Sequence, residues 1–171
     1  MNAMAWNCRG SGTPATISEI IKYRNKYSLD ICFLAETKDH SPHPQNRFQS
    51  LGFQHSWAVP SNGASGGLWL GWTDSMSLRI LYSSERIIDT LIRLNPGDPV
   101  DQEWRCSFVY GHPDHSQRAE LWNWLIMTNL GLLWETSMRL PPLLKNLVGV
   151  PLILIGIAIL PISSLKLASL T

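Results

Sequence analysis

Apolar runs and polar loops alternate along the first part of the chain, and the first three predicted elements form a strand–helix–strand unit. Residues 3–8 are an apolar run ending in a polar loop, and residues 29–35 repeat this pattern. Between them, residues 13–28 carry isoleucines at roughly helical spacing behind Pro14, a residue that suits a first helical turn. Such a unit predicts two adjacent, parallel strands with a right-handed crossover.

The remaining pattern predicts further short strands separated by turns. Glycine, proline, asparagine and serine are concentrated at residues 60–67 and 95–98, which predicts turns there. Strands after a strand–helix–strand unit indicate a mixed α/β (α+β) sandwich. Strands are predicted over residues 53–59, 68–72, 77–83, 87–94 and 103–110, with a short helix over 46–51 and an amphipathic helix over 116–126.

Polar side chains stand at the ends of the first two predicted strands. Asn7 lies at the end of the first and Glu36 directly follows the second. Because the carboxyl ends of adjacent parallel strands share one edge of a sheet, we expect Asn7 and Glu36 to face each other there. Oxygen ligands placed in this way suit Mg²⁺. Taken alone, each residue also has an ordinary interpretation, as a turn asparagine and as a solvated glutamate.

Composition and net charge restrict the possible functions without identifying one. The chain has 171 residues, enough for one domain with a core, and a formal net charge of +1, which neither indicates nor excludes a nucleic-acid partner. Its three cysteines are far apart in sequence and show no metal-binding spacing, which favours a reduced, intracellular protein. The N-terminal sequence carries no pattern of a secretory signal.

Tryptophan is abundant, with eight residues in the chain. Beyond the first predicted strand, six of them fall in predicted strands or helices, so we expect most to be packing residues. These six are Trp57, Trp69, Trp72, Trp104, Trp122 and Trp124.

Several short motifs follow one another in a distinctive order, and together they resemble a known family. Residues 3–126 are similar to the N-terminal part of the endonuclease domain of plant LINE-type (non-LTR) retrotransposons. That domain belongs to the endonuclease/exonuclease/phosphatase superfamily, so the resemblance implies a truncated, DNase I-like four-layer fold with mixed β-sheets. The motifs are Trp6-Asn7-Cys8-Arg9-Gly10, Phe33-Leu34-Ala35-Glu36-Thr37-Lys38, Ser65-Gly66-Gly67-Leu68, Tyr110-Gly111-His112-Pro113, and Arg118 with Trp122.

The resemblance also implies roles for individual residues. Glu36 would bind Mg²⁺, Asn7 would help to hold the metal and the scissile phosphate, and Tyr110 would donate a hydrogen bond to that phosphate. His112 matches the pattern without an assigned chemistry. The implied reaction is Mg²⁺-dependent nicking of DNA by water, in the nucleus or cytoplasm, with the metal stabilising charge on the phosphate and the leaving oxygen. A phosphatase of the same superfamily is an alternative.

Later motifs of the family are absent from this sequence. The pattern continues with Gly-Asp-Phe-Asn-Glu and, much later, with an Asp-His pair; the first motif does not occur here, and no Asp-His pair follows residue 115. Composition also changes near residue 127, because only four charged residues follow Met127. We therefore expect part of an endonuclease-like domain over residues 1–126, an aberrant apolar tail over residues 127–171, and no activity in the chain as written.

A one-base frameshift or a misplaced splice junction near residues 125–127 explains both features. Reading the codons of Trp134 and Glu135 one nucleotide earlier forces a glycine, and the following codons permit Asp-Phe-Asn-Glu. The alternative is a tail-anchored membrane protein with a degenerate globular domain. Residues 146–165 are uncharged and reach the roughly 20 residues that span a bilayer, although two prolines and a glycine interrupt them.

Overall fold

The structure is a computed structural model that describes residues 1–10, 13–40, 50–63, 65–98, 101 and 103–111. These residues form two β-sheets and one helix. The predicted helix over 116–126, most of the one over 46–51, and the tail over 127–171 lie outside them. The elements are β1 (Ala3–Asn7), α1 (Pro14–Tyr27), β2 (Ile31–Ala35), β3 (His55–Val59), β4 (Leu68–Trp72), β5 (Ser77–Ser84), β6 (Ile87–Arg93) and β7 (Trp104–Val109).

The first sheet has the strand order β1-β2-β4-β3 and contains the predicted parallel pair. Strands β1 and β2 run parallel, with Asn7 opposite Ala35 at their carboxyl ends. Helix α1 connects them: the Thr13 hydroxyl accepts a hydrogen bond from the Thr16 amide at 3.2 Å, and Ser28 ends the helix with a left-handed φ of 48°. The predicted strand–helix–strand unit is therefore confirmed, including the parallel pairing.

The second sheet is an antiparallel meander in the order β5-β6-β7. A β-bulge between Ile80 and Tyr82 interrupts the β5–β6 pairing, whereas β6 and β7 pair without a break. The turn over 95–98 connects them as predicted, with the Asp98 amide donating to the Asn95 carbonyl at 2.8 Å.

The two sheets pack face to face, and α1 covers the outer face of the first sheet. Phe33 of β2 meets Phe108 of β7 between the sheets, with ring centroids 5.5 Å apart. On the other face, Ile20 of α1 packs with Leu34 and Trp69. Strands β2 and β4 are buried along their whole length because both of their faces are covered. The expected mixed sandwich of helix and sheets is confirmed.

Some predicted boundaries are wrong for a local reason. Strand β2 begins at Ile31 rather than at residue 29, because the Leu29 amide donates to the carbonyl of Arg24 at 3.2 Å and completes the helix cap. Strand β3 begins at His55 rather than at residue 53, because Phe53 packs in the helix-side core beneath the Arg24 guanidinium.

The tryptophan prediction holds for the two tryptophans of β4 and fails for Trp57. Trp69 and Trp72 are buried, whereas 42% of Trp57 is exposed because β3 forms an edge of its sheet. Trp122 and Trp124 lie outside the described residues. Within the described part of the chain, no helix has the length and apolar character needed to cross a bilayer.

Candidate functional site

The carboxyl ends of β1 and β2 form one edge of the first sheet, and both nominated residues lie there. Asn7 is opposite Ala35, and the Cys8 amide donates to the Ala35 carbonyl at 3.0 Å, so Glu36 follows directly at the same edge. The Asn7 side chain accepts a hydrogen bond from the Arg9 amide at 3.3 Å, which is a local turn contact. The predicted placement at one edge is confirmed, and Asn7 also makes the local bond expected of a turn asparagine.

Two loops meet beside Glu36 and fix its backbone. Glu36 and Lys38 have left-handed φ values of 57° and 53°. The Thr37 amide donates to the Gly67 carbonyl at 3.2 Å, and the Lys38 amide donates to the Gly66 carbonyl at 3.0 Å. These bonds hold the loop after β2 against the loop before β4, so the glycine pair of the third motif acts on the conformation around Glu36.

Glycine is required at position 67 for two reasons. Its φ is +85°, a conformation that residues with a side chain rarely adopt. A Cβ atom there would also collide with the Thr37 hydroxyl and come within 3.3 Å of the Ser61 amide nitrogen. The adjacent Gly66 donates its amide hydrogen to Glu36 Oε1 at 3.3 Å. The close approach of the two loops therefore places a hydrogen-bond donor beside the carboxylate.

Tyr110, which follows β7 in the second sheet, reaches the same carboxylate. Its hydroxyl donates to Glu36 Oε1 at 2.8 Å, across 74 positions of sequence. Tyr110 is only 5% exposed; burial, followed by the hydrogen bond to Glu36, raises the pKa of its hydroxyl to about 12. The hydroxyl therefore stays protonated near neutral pH and acts as a hydrogen-bond donor.

The Glu36 carboxylate has one occupied and one available oxygen. Oε1 accepts from Tyr110 and Gly66, while Oε2 accepts no hydrogen bond from the described residues. A half-buried carboxylate of this kind fits Mg²⁺, which is commonly held by one or two carboxylates and completes its octahedron with water. Within the described residues, no group of three or more His, Cys, Asp or Glu side chains could hold a metal ion. Glu36 and Asn7 would therefore form a sparse, water-rich site.

Cys8, in the first motif, is a packing residue at the back of this edge. Its thiol donates to the Ala35 carbonyl at 3.4 Å, and burial raises its pKa to about 11. All three cysteines are free and buried. A thiol that remains protonated and inaccessible is not a nucleophile at neutral pH.

Sequence reasoning missed Arg86, which contacts Tyr110 from the turn between β5 and β6. The Arg86 guanidinium lies over the Tyr110 ring, 5.4 Å from its centroid, and the Arg86 carbonyl accepts from the Tyr110 amide at 2.8 Å. A Glu-Arg pair between two strands is an ordinary turn sequence, so no signal in the sequence distinguished it.

A second polar cluster, formed by Asp89, Arg105 and Ser107, was also missed. Asp89 Oδ2 accepts from Arg105 Nη2 at 2.7 Å, and Oδ1 accepts from the Ser107 hydroxyl at 2.8 Å. Asp89 is 1% exposed. A carboxylate in the middle of an otherwise apolar strand was the available signal, because a buried charge needs partners.

Comparison of the whole sequence with known protein families and with curated proteins gives no match. His112, Arg118 and Trp122, which contribute to the motifs of the resemblance, lie outside the described residues. Among the motif residues of the described part, the hydrogen bonds given above connect Glu36, Thr37, Lys38, Gly66, Gly67 and Tyr110.

Proposed function

We propose that residues 1–126 are the remnant of a Mg²⁺-dependent, DNA-nicking endonuclease of a non-LTR retrotransposon, with the DNase I-like fold of the endonuclease/exonuclease/phosphatase superfamily. The hydrogen bond of 2.8 Å between Tyr110 and Glu36 carries this proposal. The motifs assign these two residues to one site although they are far apart in sequence. Their contact across the two sheets supports that assignment.

The architecture supports the same origin. A parallel strand–helix–strand unit, a second antiparallel sheet packed on the first, and a helix on the outer face are what a truncated four-layer sandwich requires. The nominated residues lie at strand ends or in the loops after them, where α/β folds commonly place their sites.

Each residue has a definite task in the proposed chemistry. Glu36 Oε2 would hold the metal ion, and bound Mg²⁺ stabilises negative charge on a phosphate and its leaving oxygen. The protonated Tyr110 hydroxyl donates a hydrogen bond, and the Asn7 carboxamide offers an oxygen and an amide group at the same edge. The Gly-Asp-Phe-Asn-Glu motif does not occur in the sequence, so we propose that the chain binds metal and DNA without cleaving it.

The first test is metal binding by the full chain, measured by titration calorimetry with Mg²⁺ and with Mn²⁺. We expect Glu36→Gln to weaken binding about tenfold or more, because it replaces the charged ligand by a neutral one of the same shape. Glu19→Gln is the matched control, since Glu19 is a partly exposed helix residue whose ion pair within the described residues is with Lys22. Equal metal affinity of Glu36→Gln and the parent chain would refute the assignment of Glu36.

A nicking assay on supercoiled plasmid with Mg²⁺ tests the lack of activity. We expect no nicking above the level of a protein-free control. Nicking by the parent chain that Glu36→Gln abolishes would contradict the proposed inactivity while retaining the endonuclease origin.

The proposed frameshift is tested by sequencing the genomic locus and its transcript from the codon of Trp122 to well beyond Thr171. We expect the shifted frame to continue through Gly-Asp-Phe-Asn-Glu. A shifted frame that is full of stop codons and lacks this motif would establish the tail as genuine protein and favour the membrane-anchor alternative.

A further inference from the structure

Arg86 is attached to the candidate site through both its backbone and its side chain. Its carbonyl holds the Tyr110 amide at 2.8 Å, and its guanidinium carbon lies 5.4 Å from the centre of the Tyr110 ring. The Tyr110 hydroxyl, at the other end of that side chain, is 2.8 Å from Glu36. These contacts fix a permanent positive charge beside the hydrogen-bond donor of the site.

The charge of Arg86 is not neutralised within the described part of the chain. Arg105, on the neighbouring strand of the same sheet, forms a bidentate ion pair with Asp89. No described carboxylate forms such a pair with Arg86. The guanidinium carbon lies over the face of the Tyr110 ring, and its N–H groups form no hydrogen bond with the described residues, so they are available to donate.

A guanidinium that lies over a tyrosine ring and has no carboxylate partner among the described residues is suited to bind a phosphate group. Its N–H donors match two oxygens of a phosphate in a fork geometry. Because the Tyr110 ring restricts the rotation of the side chain, less conformational entropy is lost when an anion binds. Arg86 is half-buried, so the interaction is less screened by solvent than it would be at a fully exposed arginine.

We propose that Arg86 is a substrate-binding residue that donates hydrogen bonds to a phosphate held beside Tyr110 and Glu36. The choice of DNA as the source of that phosphate rests on the proposed function. Binding of an anion by Arg86 requires neither a bound metal nor cleavage.

The test is equilibrium binding of a fluorescently labelled DNA duplex to the full chain, without divalent cations, over a series of salt concentrations. Each lost phosphate contact lowers the steepness of the plot of log affinity against log salt by about 0.9. We expect Arg86→Gln to weaken binding by about five- to tenfold and to reduce the slope by about this amount. We expect Arg86→Lys to keep the slope and lose part of the affinity, because lysine keeps the charge without the planar fork.

Arg79→Gln is the matched control. Arg79 is an exposed arginine of β5, the strand that leads into the turn carrying Arg86, and its replacement removes the same charge. We expect its slope to equal that of the parent chain. Equal losses of affinity and slope in Arg86→Gln and Arg79→Gln would refute the proposal, because they would show a general effect of net charge.

A second arm separates this proposal from the proposed function by using inorganic phosphate as the probe. Phosphate binding that requires Arg86, without any DNA binding, would refute the DNA-directed function and support the anion site. DNA binding that is unchanged in Arg86→Gln would refute the role of Arg86 and leave the function in place. Mg²⁺ affinity is measured for the same variants, and an unchanged value shows that Glu36 and its loop are intact.

Discussion

Two carboxylates, Glu36 and Asp89, have opposite environments in this small fold. Asp89 lies opposite Ser107 in the unbroken β6–β7 ladder, and both of its oxygens accept hydrogen bonds from side chains of β7. Glu36 lies in a left-handed loop at the edge of the first sheet, and only Oε1 is hydrogen-bonded to described residues. Asp89, with both oxygens hydrogen-bonded, connects two strands. Glu36 lies at a strand end and has one oxygen without a hydrogen bond from the described residues, so that oxygen is available to bind a ligand.

The backbone around each carboxylate shows the same difference. A β-bulge in β5 lies opposite Asp89, but no residue of β5, β6 or β7 has a positive φ. The loop around Glu36 contains two non-glycine residues with positive φ, each of which costs on the order of 1 kcal/mol. Hydrogen bonds of this loop with Gly66 and Gly67 offset that cost. Positive φ values at Glu36 and Lys38, and none in the strands around Asp89, are consistent with a functional role for Glu36.

The largest expected effect is that of Asp89→Ala on stability. The substitution leaves the Arg105 guanidinium and the Ser107 hydroxyl without their acceptor, and breaking a buried ion pair costs about 3 kcal/mol or more. Urea denaturation measures the loss in the free energy of unfolding. Asp74→Ala is the control, because the side chain of Asp74 is 71% exposed and its contact with His55 should contribute less than about 1 kcal/mol. Similar losses in both variants would show that the Asp89 cluster is not part of the framework.

The next largest expected effect is that of Gly67→Ala, which perturbs the loop around Glu36. We expect a loss of about 2–3 kcal/mol, because the new methyl group adds a collision with Thr37 to the cost of a positive φ. Gly63→Ala measures the cost of the positive φ alone, since Gly63 has a φ of +67° and no atom lies within 4 Å of the added Cβ. We expect about 1 kcal/mol there, measured by the same denaturation. Equal losses would mean that the contact between the two loops is not tight in solution.

The edge that carries the candidate site could be predicted from the sequence alone. Two apolar runs with a helical pattern between them determine a parallel pair, and the polar residue after each run must then lie at one edge. This logic is local, since it needs only the periodicity of about thirty residues. It therefore placed Asn7 and Glu36 correctly, and it located the glycine-rich turn before β4.

The contacts made by Tyr110 could not be predicted in the same way. They depend on how the second sheet packs on the first, and that is decided by side chains such as Phe33 and Phe108 that no local pattern pairs. The bidentate pair of Asp89 with Arg105 depends on the register of β6 and β7. A shift of one residue would move these side chains to opposite faces.

Tyr110→Phe should have the smallest effect on stability. It also distinguishes the two carboxylates most directly, because it removes one of the two hydrogen-bond donors to Glu36 and none of the donors to Asp89. The lost hydrogen bond should cost about 1 kcal/mol at neutral pH. Burial, followed by the contact with Glu36, raises the pKa of Tyr110 from its ordinary 10.0 to about 12. The protonated hydroxyl therefore stabilises the folded state fully below pH 10, and this contribution is lost as the pH rises to about 12.

Other groups also titrate in this range, including the Cys8 thiol, so the measured quantity is the difference in the free energy of unfolding between the variant and the parent chain. We expect that difference to shrink as the pH rises through this window; a constant difference would mean that Tyr110 does not donate to Glu36 in solution, and it would remove the main support for a shared site.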